Sequence, residues 1–252
     1  MSMRSRTAWL LIMCFLSAAA CAPAAHAASF QEANRLYKDN KYDEAIEAYE
    51  GIVSSGFESG NLYYNLGNSY FKKGDLGRAL LNYERAKVFI PHDSDLRSNY
   101  DFVRGLLNVP SRYSWGPWFF RWVDRLFDNI GINALMRTIS AFWIFWLLFL
   151  SAVLWLAFLR RYAIPVSGIF AIVLIICSTA LSRKAEYYER GGIVTDREAE
   201  AKFEPQSGAT TYFKLTEGNP VLILDRTVGW VKVRRPDNRI GWMQAQSIAL
   251  IK

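Results

Sequence analysis

The chain has 252 residues, 52% of them hydrophobic, and a formal net charge of +7. Residues 30–110 carry 10 basic and 12 acidic side chains and residues 185–252 carry 10 and 9, whereas residues 111–184 carry 8 and 2. The positive excess therefore flanks apolar segments, as in membrane proteins, and no basic patch on a folded domain points to nucleic acid.

The N-terminus reads as a secretory signal. Arg4 and Arg6 form a short positive region, Trp9 to Ala20 an apolar core, and Ala25-His26-Ala27 an A-x-A cleavage site. Lipoprotein processing at Cys21 and retention as an anchor are the alternatives. Cleavage after Ala27 would remove Cys14 and Cys21, leave Cys177 alone, and preclude an internal disulfide.

Two stretches that follow align at an offset of 34 residues: Ala33 on Gly67, Leu36 on Tyr70, Ala45 on Ala79, Tyr49 on Tyr83 and Glu50 on Glu84. That period marks a helix–turn–helix repeat. Tyr63-x2-Leu66-Gly67-x2-Tyr70, Ala79-x3-Tyr83, Ala86 and Pro91 closely resemble a tetratricopeptide repeat. Small residues at Gly67, Ala79 and Ala86 let paired helices approach, Tyr70 and Tyr83 fill the space between them, and Pro91 ends the unit. The repeats span about 28–59 and 60–93. A capping helix over 94–108 has Leu96, Tyr100, Val103 and Leu107 on one face.

In repeats of this kind the first helix of each unit lines a concave groove that binds protein segments. The resemblance places Asn34, Asn65 and Asn68 on that face, with the matched pairs Tyr37 and Phe71, and Lys38 and Lys72. An asparagine can hydrogen-bond both the N–H and the C=O of an extended peptide. Phe30 and Asp95 stand near the places where a carboxylate clamp would have lysines, which argues against capture of a peptide terminus.

In the segment 111–136, Trp115, Trp118, Phe119, Trp122, Val123, Leu126 and Phe127 recur at helical spacing, opposite Arg121, Asp124, Arg125 and Asp128. Gly116-Pro117 sets a helix start here. This is either an amphipathic helix in the membrane interface or a helix packed on the last repeat. Residues 138–159 and 162–182 are uncharged and long enough to span a bilayer. Arg160-Arg161 between them marks a surface turn of a transmembrane hairpin; a buried hairpin in a soluble protein is the alternative. A signal sequence would put both polar regions outside the cytoplasm, in the periplasm. The arginine distribution, with Arg160 and Arg161 alone on the inner side, points the other way.

From residue 192 the pattern changes to short strands: 192–195, 199–203, 212–215, 221–224, 230–234 and 240–243. Turn signals at 217–220, 228–229 and 236–238 separate them. Gly229-Trp230-Val231-Lys232-Val233, a Pro-Asp turn and Ile240-Gly241-Trp242-Met243 resemble a bacterial SH3-like domain covering 185–252. That resemblance implies cell-wall peptide or protein ligands, with Tyr212, Trp230 and Trp242 as aromatic contacts; alternatively Trp230 belongs partly to the core.

No Ser/His/Asp set, HExxH or CxxC cluster or GxxxxGK loop is present, so no catalysis, cofactor or metal is expected. The fold class expected is a multidomain membrane protein: all-α tetratricopeptide repeats, a two-helix transmembrane hairpin and an all-β SH3-like barrel. This order of parts resembles the BatE family of bacterial aerotolerance (Bat) operons. The resemblance implies a non-enzymatic scaffold at the inner membrane, partnered by Bat proteins with von Willebrand A domains and a MoxR-type ATPase, in stress tolerance or envelope maturation. The competing expectation is a peptidoglycan binder acting through the SH3-like domain.

Overall fold

The computed structural model describes residues 29–109, 117–128 and 130–252. The export signal, Cys14, Cys21 and the cleavage site lie outside the described residues, as does the start of the amphipathic segment with Trp115.

Five helices form the N-terminal region: α1 (29–38), α2 (Tyr42–Ser54), α3 (Gly60–Lys73), α4 (Leu76–Phe89) and α5 (Ser94–Leu106). The 34-residue register is written into their ends. Ser59 and Asp93, one repeat apart, cap α3 and α5 by accepting from the backbone N–H of Leu62 and Leu96 at 3.2 and 2.8 Å. Such caps contribute about 1 kcal/mol each. At the other end, Asn40, Gly74 and Asn108 all take the left-handed conformation, with φ of 60, 84 and 50°. The residue after each donates its N–H back across the turn: Lys41 to Leu36 O, Asp75 to Tyr70 O and Val109 to Arg104 O, at 2.9, 3.0 and 3.2 Å. Glycine and asparagine tolerate this backbone best. So α5, the expected capping helix, closes in the same way as α1 and α3.

Close approach of α3 and α4 depends on Gly67. A Cβ there would lie 2.6 Å from the Tyr83 ring and 3.2 Å from the Ala79 carbonyl oxygen. Ala79, Tyr83 and Ala86 are fully buried and Tyr70 nearly so, as the small-against-aromatic pattern requires.

Helix α6 (Trp118–Leu126) follows Pro117. It packs on the two long helices that follow it. Val123 is buried with Leu135, Cys177 and Ala180, and Phe119 and Phe127 pack around them. Its outer residues Trp118, Trp122 and Leu126 are exposed. Helix α7 (Ile132–Trp155) has 24 residues and α8 (Ala163–Arg190) has 28. Both are long and apolar enough to cross a membrane, and their apolar windows are 0% and 11% buried. Arg160 and Arg161 sit in the 3-10 turn Ala157–Tyr162 that joins them, as expected. The boundaries differ from the uncharged runs. Helix α7 starts before Thr138, where Arg137 can reach the surface, and α8 continues past Ser182 to Arg190.

Seven antiparallel strands complete the chain: β1 (Gly191–Val194), β2 (Glu198–Lys202), β3 (Thr211–Thr216), β4 (Pro220–Thr227), β5 (Trp230–Arg234), β6 (Ile240–Gln244) and β7 (Ile248–Leu250). Their order is β3-β2-β6-β5-β4-β1-β7. Six match the expected runs; β7 was not anticipated. Edge strands β3 and β7 both feed one core, through Phe213, Leu215 and Ile248 with Val194, Val233 and Met243, so the sheet curls on itself. No linker separates α8 from β1. Gly191 makes that junction, and a Cβ there would lie 2.1 Å from the Tyr187 carbonyl oxygen.

The helical region and the sheet are in direct contact. Arg85 on α4 donates through Nε to Ile251 O at 3.0 Å and through a terminal nitrogen to Leu250 O at 2.8 Å. The Gly77 N–H donates to Glu217 Oε1 at 2.6 Å. Ile193 and Ile251 belong to the same buried cluster as Tyr63, Leu80 and Tyr83. Burial lowers the Arg85 pKa, opposed by Tyr63, Glu58 and Glu50. Helical core and sheet thus share a seam.

Candidate functional site

The first helices of the three units, α1, α3 and α5, line a groove of about 310 Å³. Its walls include Tyr37, Tyr64, Asn68, Phe71, Lys72 and Phe102. Of the residues expected there, Tyr37, Asn68, Phe71 and Lys72 are present. Asn34 and Asn65 are not part of this wall but are joined to each other in a hydrogen-bond relay, and Lys38 is exposed at the end of α1.

The relay repeats with the helices. Tyr49 OH and Asn65 Nδ2 both donate to Asn34 Oδ1, at 2.7 and 2.8 Å. One unit on, Tyr83 OH and Asn99 Nδ2 both donate to Asn68 Oδ1, at 2.7 and 3.0 Å. Asn99 also donates to Tyr64 OH at 3.0 Å. Each acceptor, tyrosine and amide donor is shifted by 34 residues between the two sets. The asparagine oxygens thus serve the fold by satisfying buried hydroxyls. The Nδ2 groups of Asn34 and Asn68 make no hydrogen bond among the described residues, so each is a donor that the relay does not use. Burial raises the Tyr83 pKa and pushes that of Tyr49 up to about 12, a hydrogen bond from the amide side opposing the latter.

Tyr64, Asn99 and Phe102 were not singled out from the sequence. Continuing the register would have found two of them, since Asn99 follows Asn65 by 34 residues and Phe102 follows Asn68 by the same interval. Phe71 and Phe102 meet edge to face, with centroids 5.9 Å apart, and Phe102 is 58% exposed. The groove is therefore aromatic and amide-rich, with one ammonium, Lys72. An extended segment bearing an apolar anchor and an acidic neighbour suits it.

The three aromatics expected on the sheet are on its outer face. Trp230 and Trp242 are half-buried and alternate with inward Val231 and Met243. Lys232 and Lys202 pair with Trp242 from either side, and the Lys232 ammonium lies 5.7 Å from the ring centroid. Tyr212 stands apart on edge strand β3, stacked on exposed Phe203 at 4.5 Å. So Trp230 and Trp242 lie on adjacent strands, and Tyr212 lies two strands from Trp242 at the edge.

Together these features define a class: a helical repeat with an aromatic groove, a pair of helices able to cross a membrane, and a small antiparallel sheet. The chain matches no protein-family model and no curated protein.

Proposed function

We propose that this protein is a non-enzymatic, membrane-anchored scaffold. Its helical units act as tetratricopeptide repeats that hold an extended segment of a partner protein, and its sheet is an SH3-like domain. The observation that carries this reading is the groove of α1, α3 and α5, whose wall is furnished at repeat intervals with aromatic and amide side chains. Partners in keeping with the BatE resemblance are Bat proteins with von Willebrand A domains and a MoxR-type ATPase system, at the inner membrane with both polar regions in the periplasm. The test uses the full chain in detergent with a purified von Willebrand A domain partner. Phe102→Ala and Lys72→Glu, both on the open side of the groove, should weaken capture while leaving the melting temperature unchanged. Capture unaffected by both substitutions would sink the groove reading.

A second reading is supported by the Lys232–Trp242–Lys202 row. An indole flanked in register by two lysines, one of whose ammonium groups lies near the ring, suits an anionic glycan such as peptidoglycan. Because the sheet shares buried residues with the helices, the whole chain is the right reagent. Sedimentation with purified sacculi that Trp242→Ala abolishes would favour it; sedimentation indifferent to Trp242 would remove it.

A further inference from the structure

Helix α6 carries a surface that neither the groove nor the sheet uses. Val123 is fully buried, whereas Trp118, Arg121, Trp122, Arg125 and Leu126 are exposed. At about 100° per residue these five divide into two edges. Trp118, Trp122 and Leu126, at i, i+4 and i+8, run along one edge. Arg121 and Arg125, at i and i+4, run along the other, with Asp124 beside them. Phe119 continues the apolar edge into the core, and both tryptophan rings meet it with centroids 6.2 Å apart.

The contacts of α6 fix its level along the two long helices. Val123 packs with Leu135, in the first turn of α7, and with Cys177 and Ala180, near the end of the uncharged run of α8. Both places lie at the end of the helix pair opposite the Arg160-Arg161 turn. Arg183, the first charge after that run, donates to Asp124, Nε to Oδ1 at 2.8 Å and a terminal nitrogen to Oδ2 at 2.6 Å. At about 1.5 Å per residue, Cys177 to Arg183 covers roughly 9 Å of α8. The Asp124 side of α6 therefore points toward the charged end of α8, and the arginine edge goes with it. The tryptophan edge points the other way, toward the apolar length of α7 and α8.

We propose that α6 lies in the headgroup layer of a phospholipid bilayer. Trp118, Trp122 and Leu126 reach into the boundary of the acyl chains, and Arg121 and Arg125 stand at the level of the phosphates. The inference rests on reading α7 and α8 as membrane spans. Three features favour a lipid surface over a protein partner. The exposed apolar edge adjoins the apolar windows of α7 and α8, which are 0% and 11% buried. Tryptophan collects at the boundary between membrane and water, and a row of arginines beside it complements phosphate. The distance of roughly 9 Å from Cys177 to Arg183 matches the depth of about 5–10 Å to which interfacial helices sink.

The experiment is spin labelling of the full chain in vesicles of phosphatidylglycerol and phosphatidylcholine. Power saturation is read with oxygen, which concentrates in the bilayer, and with a water-soluble nickel chelate, which does not enter it. Cys14→Ser and Cys21→Ser leave buried Cys177 as the background thiol. Labels at Trp122→Cys and Leu126→Cys should favour oxygen over the chelate severalfold more than labels at Arg121→Cys and Arg125→Cys. All four should see less chelate than a label at Val228→Cys, which is 96% exposed in a turn of the sheet. The four positions on α6 are exposed, so the fold should survive each change. Chelate access at Trp122→Cys and Leu126→Cys equal to that at Val228→Cys would overturn the proposal. So would a reversed order of the two edges, or low access of the Trp122→Cys and Leu126→Cys labels to both reagents, as in a protein interface. Ile172→Cys, midway along the uncharged run and 59% exposed, reports on the spans themselves. Chelate access there would overturn the membrane reading beneath the proposal, whereas oxygen access there with water-exposed labels on α6 would overturn the interfacial helix alone.

Discussion

Replacing Asn68 by alanine should destabilise the protein because of what it strands. Tyr83 is fully buried, and its hydroxyl donates to Asn68 Oδ1 at 2.7 Å. Without that acceptor the buried hydroxyl loses its protein partner, which costs about 1–3 kcal/mol. Asn99, 3.0 Å from the same oxygen, loses a partner too but is only half-buried and retains Tyr64. Taking 2 kcal/mol as the middle of that range, the melting temperature should fall by roughly 4–8 °C for a cooperative unit of this size. Tyr83→Phe removes the donor instead and should cost only about 1 kcal/mol. The two changes together should cost clearly less than their sum, by about 1 kcal/mol or more, because the stranded hydroxyl is gone. Circular dichroism melts of the full chain in detergent provide the cycle. Additivity within about 0.5 kcal/mol would refute the relay as an energetic unit. The same logic applies to Asn34 and Tyr49, so loss of partner binding in an Asn34→Ala, Asn68→Ala variant would not by itself implicate the asparagines in recognition.

Gly67→Ala would push a methyl group into the Tyr83 ring and should cost about 1–3 kcal/mol by overpacking, seen as a lowered melting temperature; an unchanged one would mean that α3 and α4 are looser than described. Arg85→Ala removes both hydrogen bonds to the last strand, and amide hydrogen exchange in β1 and β7 should quicken while that in β5 and β6 does not. High pH should unfold the helical region. Tyr49 and Tyr63 have pKa values raised from 10.0 to about 12, chiefly by burial, so the folded state prefers the protonated phenol. The stability this confers is complete below pH 10 and is lost as pH rises through 12, and tyrosinate absorbance should appear together with loss of helix rather than ahead of it. Alkaline phosphatase fused after Asn108 and after Lys252 should be active at both sites; activity at one alone would break the two-span hairpin, and inactivity at both would place the two regions in the cytoplasm.

What could be read from the sequence was whatever recurs or alternates. The 34-residue interval located the Gly67–Tyr83 approach, and the family resemblance built on it implied that Asn34 and Asn68 lie on the inner helices. It did not reveal that their oxygens would be taken by Tyr49 and Tyr83, because a relay between side chains leaves no pattern beyond the residue types themselves. Strand alternation found β5 and β6 closely. It missed β7, since three residues, Ile248 to Leu250, are too few to display a period. The seam between helices and sheet was also invisible. Arg85 grips backbone carbonyl oxygens, which every residue possesses, so nothing in residues 249–251 advertises it. The amphipathic segment was legible as such. Only packing decided that Val123 turns toward Cys177 and Ala180 rather than toward the repeats.

The direct passage of α8 into β1 at Gly191 acts as a mechanical index. A flexible joint would let each side turn independently, but here any roll or vertical shift of α8 is handed on to the sheet, and through Arg85 to α4. A single residue inserted between Ser182 and Arg190 would advance everything downstream by about 1.5 Å and swing it by roughly 100° about the helix axis. The height and compass bearing of the sheet are therefore set by residue count within α8, in the way a keyed shaft sets the angle of the wheel it carries.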